Sequence, residues 1–189
     1  RSASELKNEP PELQPKLMSR PQTQPKEGTP TQAAPAVDGD NDFLFGTEDP
    51  QGLRCPFGAH IRRANPRDSL SPGSADQIEI SNRHRILRVG RGYKPEAEQQ
   101  GGLLFMCLNG DIERQFEFVQ QTWLASPVFH GLDAEVDPLV CDGRDGANGF
   151  TVPTRDGPMR LKAMQQFVTT RGGGYFFLPG KRLVEYLAE

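Results

Sequence analysis

The residues of this chain that could do chemistry are three histidines, three cysteines and a dense set of arginines. His60 sits in the stretch Cys55-Pro-Phe-Gly-Ala-His-Ile-Arg-Arg-Ala-Asn-Pro-Arg67. Gly58 and Ala59 just before it are small, so the backbone would not hold the imidazole away from a flat macrocycle. Arg62, Arg63 and Arg67 just after it suit acidic groups such as propionates. The plainer alternative is a structural histidine, and spacing does not choose between the two. Zinc is a weaker reading. Cys55 and His60 are five apart, Cys107 and Cys141 are distant, and no C-x-x-C pair occurs. The cysteines read instead as small apolar residues kept reduced inside a cell.

The run Asn82-Arg-His-Arg-Ile-Leu-Arg-Val-Gly-Arg-Gly-Tyr93 is the second candidate. It reads as a solvated basic face, as a phosphate patch, or as a stretch in which one arginine points into a pocket to stabilise developing negative charge. Ile86 and Leu87 beside Arg88 predict partial burial there, and a buried guanidinium needs an anion or a functional reason. Trp123 and Tyr93 could pass electrons to a surface substrate, although Trp123 also suits a plain anchoring role in a helix. Gly172 to Gly174 fit neither phosphate-loop spacing and read as a bulge or a close backbone approach. No G-x-S-x-G or H-E-x-x-H occurs, which sets aside the commonest hydrolase and metalloprotease chemistries.

Elements must position these groups. The apolar run Gly102-Leu-Leu-Phe-Met-Cys-Leu-Asn109 predicts a buried strand. Ile112, Phe116, Val119 and Trp123 recur at helical spacing, which predicts a helix over Asp111 to Trp123, capped at Asn109 or Asp111 and ended by Pro127. Gln166 to Arg171 and Tyr175 to Leu178 read as two further strands, and Lys181 to Leu187 as a last helix after Pro179. Strand, helix, strand, strand, helix predicts an α+β fold with a mostly antiparallel sheet.

Composition bounds the reading. Residues 1–42 hold seven prolines and no aromatic residue, so they have little to bury against the entropy of ordering. They are expected to form a disordered or extended N-terminal arm ahead of one folded domain, residues 43–189. Pro21 and Pro25 lack P-x-x-P spacing, which disfavours a ligand for proline-recognition modules. No apolar run is long enough for a membrane helix. Net charge −3, and no aromatic platform among Arg83, Arg85, Arg88 and Arg91, disfavour nucleic acid. The chain begins with Arg1 and no signal segment follows, so the expectation is a cytoplasmic chain that is a fragment or has lost its start.

Taken together, these segments resemble a known family. CPFGAHIRRANPR is similar to the proximal haem-ligand motif of the dye-decolourising peroxidases. RILRVGRGY, GLLFMCLNGDIERQFEFVQQTW, FHGL, DPLV, FTVP and FVTTRGGGYFFLPG follow in that family's order. The resemblance covers roughly residues 42–189, the C-terminal half of such an enzyme. It implies a ferredoxin-like α+β unit that holds haem b (iron protoporphyrin IX). His60 would then ligate the iron, and Arg88 would be the distal arginine that assists peroxide cleavage. Asp137 would hydrogen-bond the proximal imidazole, and Leu103 and Phe105 would line the distal side. The implied partners are hydrogen peroxide and a bulky reducing substrate, and a homo-oligomer is compatible with it.

One departure stands out. The family's proton-moving aspartate lies in a G-x-x-D-G motif in its N-terminal half, and this chain has none. Asp38-Gly39 has Pro35 where the first glycine belongs, and Gly143-Arg-Asp-Gly146 is one residue short. The resemblance therefore implies a missing half, supplied by the same or a partner chain. The alternative is a haem-binding or interaction module without catalysis.

Overall fold

The structure, a computed structural model, describes residues 43–94, 101–141, 149–162, 166 and 168–188. The expected arm over 1–42, the Gly143–Gly146 segment and Phe167 lie outside the described residues.

The described residues open with a short helix, α1 (Phe45–Glu48), whose N-terminal amides are bonded from 22 positions away. Asp68 Oδ1 accepts from Gly46 N at 2.7 Å, and Oδ2 accepts from Thr47 N at 3.2 Å. Helix α2 (His60–Ala64) follows, then α3 (Ala75–Arg83). Ser74 caps α3 by accepting from Gln77 N. Strands β1 (Leu87–Tyr93) and β2 (Gly102–Leu108) form an antiparallel ribbon, with Leu87 opposite Leu108 and Tyr93 opposite Gly102. A helical stretch over 113–124 follows, wider than an α-helix. Glu117 N bonds Ile112 O and Ala125 N bonds Gln120 O, both five residues back. Its buried residues, Val119, Trp123 and Leu124, fall at the matching i, i+4, i+5 spacing. The Asp111 cap forms as expected, with Oδ1 accepting from Arg114 N at 3.0 Å. Strands β3 (Phe150–Val152) and β4 (Met159–Leu161) pair antiparallel, and α4 (Lys181–Leu187) closes the described chain. The class is α+β with antiparallel pairing, as expected, although two of the expected strands do not contribute to it.

Three expectations need correction. Strand β2 forms but is not buried: Leu103, Leu104, Phe105, Met106 and Leu108 are all exposed. Burial needs a covering element, and among the described residues no third strand joins the ribbon. Arg88 on β1 is exposed for the same reason, and Leu87 beside it keeps 71% of its surface. The strands expected at 166–171 and 175–178 are absent from the described residues there, which have no ladder partner. Gly172 and Gly173 consequently approach no backbone, and a Cβ on either would meet open space.

Among the described residues the core consists of two small clusters with α2 between them. Phe43, Phe45, Cys55, Ala59, Phe150 and Val152 form one, with Ile61 packed against it. Val119, Trp123, Leu124 and Phe129 form the other, with Ala64 against it. Trp123 anchors its helix in the second cluster.

Two consecutive arginines on α2 fasten it to both sides. Arg62 donates through Nε to Ser69 Oγ (2.9 Å) and through NH1 to Cys55 O (2.9 Å), Asp49 O (3.1 Å) and the Asp49 carboxylate (3.3 Å). Arg63 donates to Gly58 O (3.2 Å), Trp123 O (2.8 Å), Ser126 O (2.9 Å) and Glu135 O (2.8 Å). Both side chains are fully buried, and their charge is lodged over aromatic rings, Arg62 over Phe45 and Phe57 and Arg63 over Phe129. Burial lowers the pKa of each guanidinium, while nearby carboxylates oppose the shift.

Arg63→Ala strands four carbonyls in a dry interior. It is expected to lose on the order of 3–5 kcal/mol of stability in denaturant unfolding. Arg83→Ala, which removes only an exposed pair with Glu79, should change stability by less than about 1 kcal/mol.

Candidate active site

Helix α2 begins at His60 because Cys55-Pro56-Phe57-Gly58 turns the chain into it, with Ala59 N bonding Pro56 O at 3.0 Å. The imidazole is about one-third exposed (32%). Its Nδ1 lies 2.9 Å from Asp137 Oδ2, a carboxylate with no exposed surface. The other carboxylate oxygen, Oδ1, accepts from Leu139 N (2.9 Å) and Val140 N (3.0 Å). Asp137 N in turn bonds Leu124 O at 2.8 Å, at the end of the wide helix. The carboxylate is thus aimed from both ends and fixes the imidazole tautomer with hydrogen on Nδ1. No described residue bonds Nε2, which leaves its lone pair available to an external ligand.

Arg88, Leu103 and Phe105 come together by register. Arg88 pairs with Cys107, Gly90 with Phe105, and Gly92 with Leu103. Paired and alternate residues share a face of a ribbon, so all six lie on one side. The two glycines leave Phe105 and Leu103 without bulky neighbours across the strand, which makes a flat apolar shelf with Arg88 at one end. Arg88 makes no hydrogen bond or ion pair with any described residue.

The flanking arginines do not serve the role their spacing suggested. Arg62 and Arg63 are turned into the protein and saturated there. Arg67 bonds Phe43 O at 2.9 Å and lies over the Phe43 ring. Adjacency in sequence to a candidate ligand does not fix which way an arginine faces; its neighbours in three dimensions do. As for metal, no group of three or more His, Cys, Asp or Glu among the described residues is placed to hold an ion. Burial pushes the Cys55 thiol up to about 12, so it stays protonated and unreactive.

Sequence reasoning missed His130 as a participant, although it stands in the FHGL segment. Its Nε2 lies 3.1 Å from Ser69 Oγ, which already accepts from Arg62 Nε. The serine oxygen keeps a second lone pair and its own hydrogen, so it can pair with Nε2 in either direction, as the ring's tautomer dictates. Burial, and next the Arg62 guanidinium, hold the His130 pKa below the ordinary imidazole value. Its backbone is left-handed, with φ 53° and ψ 36°.

No protein-family model matches the chain. It is 34% identical over 158 residues to the multifunctional dye peroxidase DyP2 of Amycolatopsis sp., across 74% of this chain and 33% of that protein. It is also 34% identical over 162 residues to the dye-decolorizing peroxidase msp1 of Mycetinis scorodonius, across 74% of this chain and 30% of that protein. The solved structure of DyP2 from Amycolatopsis sp. superimposes with a TM-score of 0.58 at 30% identity, across 75% of this chain and 34% of that one. The shared fold is the ferredoxin-like α+β class. The chain spans about a third of the length of the curated relatives it matches.

His130 gives a pH dependence with a definite sign. Its folded pKa is lowered, so the folded state binds fewer protons than the unfolded state in mild acid. Its share of stability is complete above about pH 6.5. That share is lost as pH falls through the lower, folded value. His130→Asn tolerates the left-handed backbone and does not protonate. Between pH 7.5 and pH 5 the native chain should lose more stability than this variant, read from parallel denaturant curves.

Proposed function

Because the chain belongs to the dye-decolourising peroxidases, of which it spans about a third, we propose that it is the haem-holding part of such an enzyme. The full protein would use hydrogen peroxide to oxidise bulky dyes, phenolics or similar reductants by one-electron steps. The observation that carries this reading is one imidazole with Nδ1 locked to a buried carboxylate and Nε2 left open.

The residues present fit haem b. The small Gly58 and Ala59 before His60 and the open Nε2 suit a proximal ligand. Asp137, by accepting the Nδ1 hydrogen, makes the imidazole a stronger donor, which favours oxidised iron. The shelf of Leu103 and Phe105 suits the apolar face of a porphyrin. Arg88 would stabilise the negative charge that develops as an O–O bond separates. When bound, the haem supplies the iron at which peroxide is cleaved.

A base must also take the peroxide proton, and this chain has no G-x-x-D-G aspartate. The remaining length of the family enzyme, in the same or a partner chain, would supply it. Cys55, Cys107 and Cys141 form no disulfide among the described residues. No helix among the described residues is long and apolar enough to cross a membrane.

Haem titrated into the purified chain should give a Soret band that His60→Ala loses or shifts. An unchanged band in that variant removes His60 as ligand. Arg88→Leu should keep the band, and in a chain extended to full family length it should lower peroxide turnover roughly 10²–10³-fold. Bound haem with equal, feeble turnover in native and Arg88→Leu full-length proteins would favour a haem-carrying module instead.

A further inference from the structure

Behind the His60–Asp137 pair lies a second carboxylate that neither the resemblance nor the candidate mechanism uses. Glu135 has no exposed surface. Its Oε2 accepts from Thr151 Oγ1 at 2.7 Å and lies 3.6 Å from Arg160 NH1. Its Oε1 is buried and has no hydrogen-bond partner among the described residues. That oxygen is lodged against Gly58, where a methyl group on the glycine would collide with it. Residues 58–60 and 135–137 therefore run side by side with two rungs. Asp137 faces His60 on one, and Glu135 faces Gly58 on the other. Arg63 bridges the same two segments, bonding Gly58 O and Glu135 O.

A buried carboxylate oxygen without a donor is costly, and mutation to a neutral side chain would relieve that cost. Gly58 is held to glycine by the same oxygen, because any side chain would expel it. We propose that Glu135 is a positioning residue for the proximal side. It seats the turn that presents His60, and its carboxylate adds a fixed negative field behind the imidazole. The inference rests on the haem reading given above. The charged groups facing Glu135 are Arg160 from β4 and Arg63 from α2, with Asp137 two residues along on its own segment. Arg63 is already shared with Asp137, and Arg160 is partly exposed, so the field of Glu135 is only partly cancelled.

Two variants with opposite expected signs test this in the haem-loaded chain. Glu135→Gln keeps the shape and removes the charge, so the ferric–ferrous midpoint potential should move positive. Thr151→Val removes the donor from Oε2 and leaves the carboxylate less neutralised, so the midpoint should move negative. Both should keep the Soret position of a His60-ligated haem. An unchanged midpoint in Glu135→Gln, or shifts of the same sign in both variants, would overturn the proposal while leaving His60 as ligand. If Glu135→Gln does not fold, the sign in Thr151→Val alone decides. If the native chain gives no Soret band, or His60→Ala leaves it unchanged, the functional reading fails first and this one with it.

Discussion

A guanidinium buried in a dry interior must have every donor direction answered, and the site rests on how Arg63 meets that demand. Its partners come from the turn before His60, from the end of the wide helix and from the segment that carries Asp137. Those three pieces lie far apart in the chain. Desolvation of one cation is severe enough that they converge on it or the fold is lost. Once they converge, Asp137 stands 2.9 Å from the His60 ring with no further adjustment. Its own backbone amide bonds Leu124 in the same knot. The geometry of the candidate ligand is thus a by-product of satisfying a structural arginine.

The proposed proximal side is built in this way and the proposed distal side is not. Around His60 the side chains are buried and multiply bonded. The ribbon that carries Arg88, Leu103 and Phe105 is an antiparallel pair with both faces open. Two strands alone are marginal in water. Among the described residues nothing covers their apolar side chains. The two halves of the proposed site therefore differ in how much of their preorganisation this chain supplies.

Much of this was legible in residue types and order. The helix ended by Pro127, the strand at Gly102–Leu108 and the last helix follow from apolar spacing and breakers, which act over a few residues. Helix α3 is announced only by Ser74-x-x-Gln77 at its start, since its interior carries few apolar residues at helical spacing. The strands expected near 166–178 failed for a different reason. A strand is defined by its partner, and apolar alternation specifies no partner.

By itself the sequence determined the candidates: an imidazole with small residues before it, an arginine and an apolar strand in a recognisable order, and a likeness carried by several motifs at once. These are local or ordinal facts, written along the chain. Only the tertiary structure decided that Arg62 and Arg63 face inward, that His130 pairs with Ser69, and that Glu135 stands one rung behind Asp137. Such roles depend on burial and on contacts between residues as many as 77 positions apart. Whether a charged side chain meets solvent, a ligand or a ring of carbonyls is set by what folds over it.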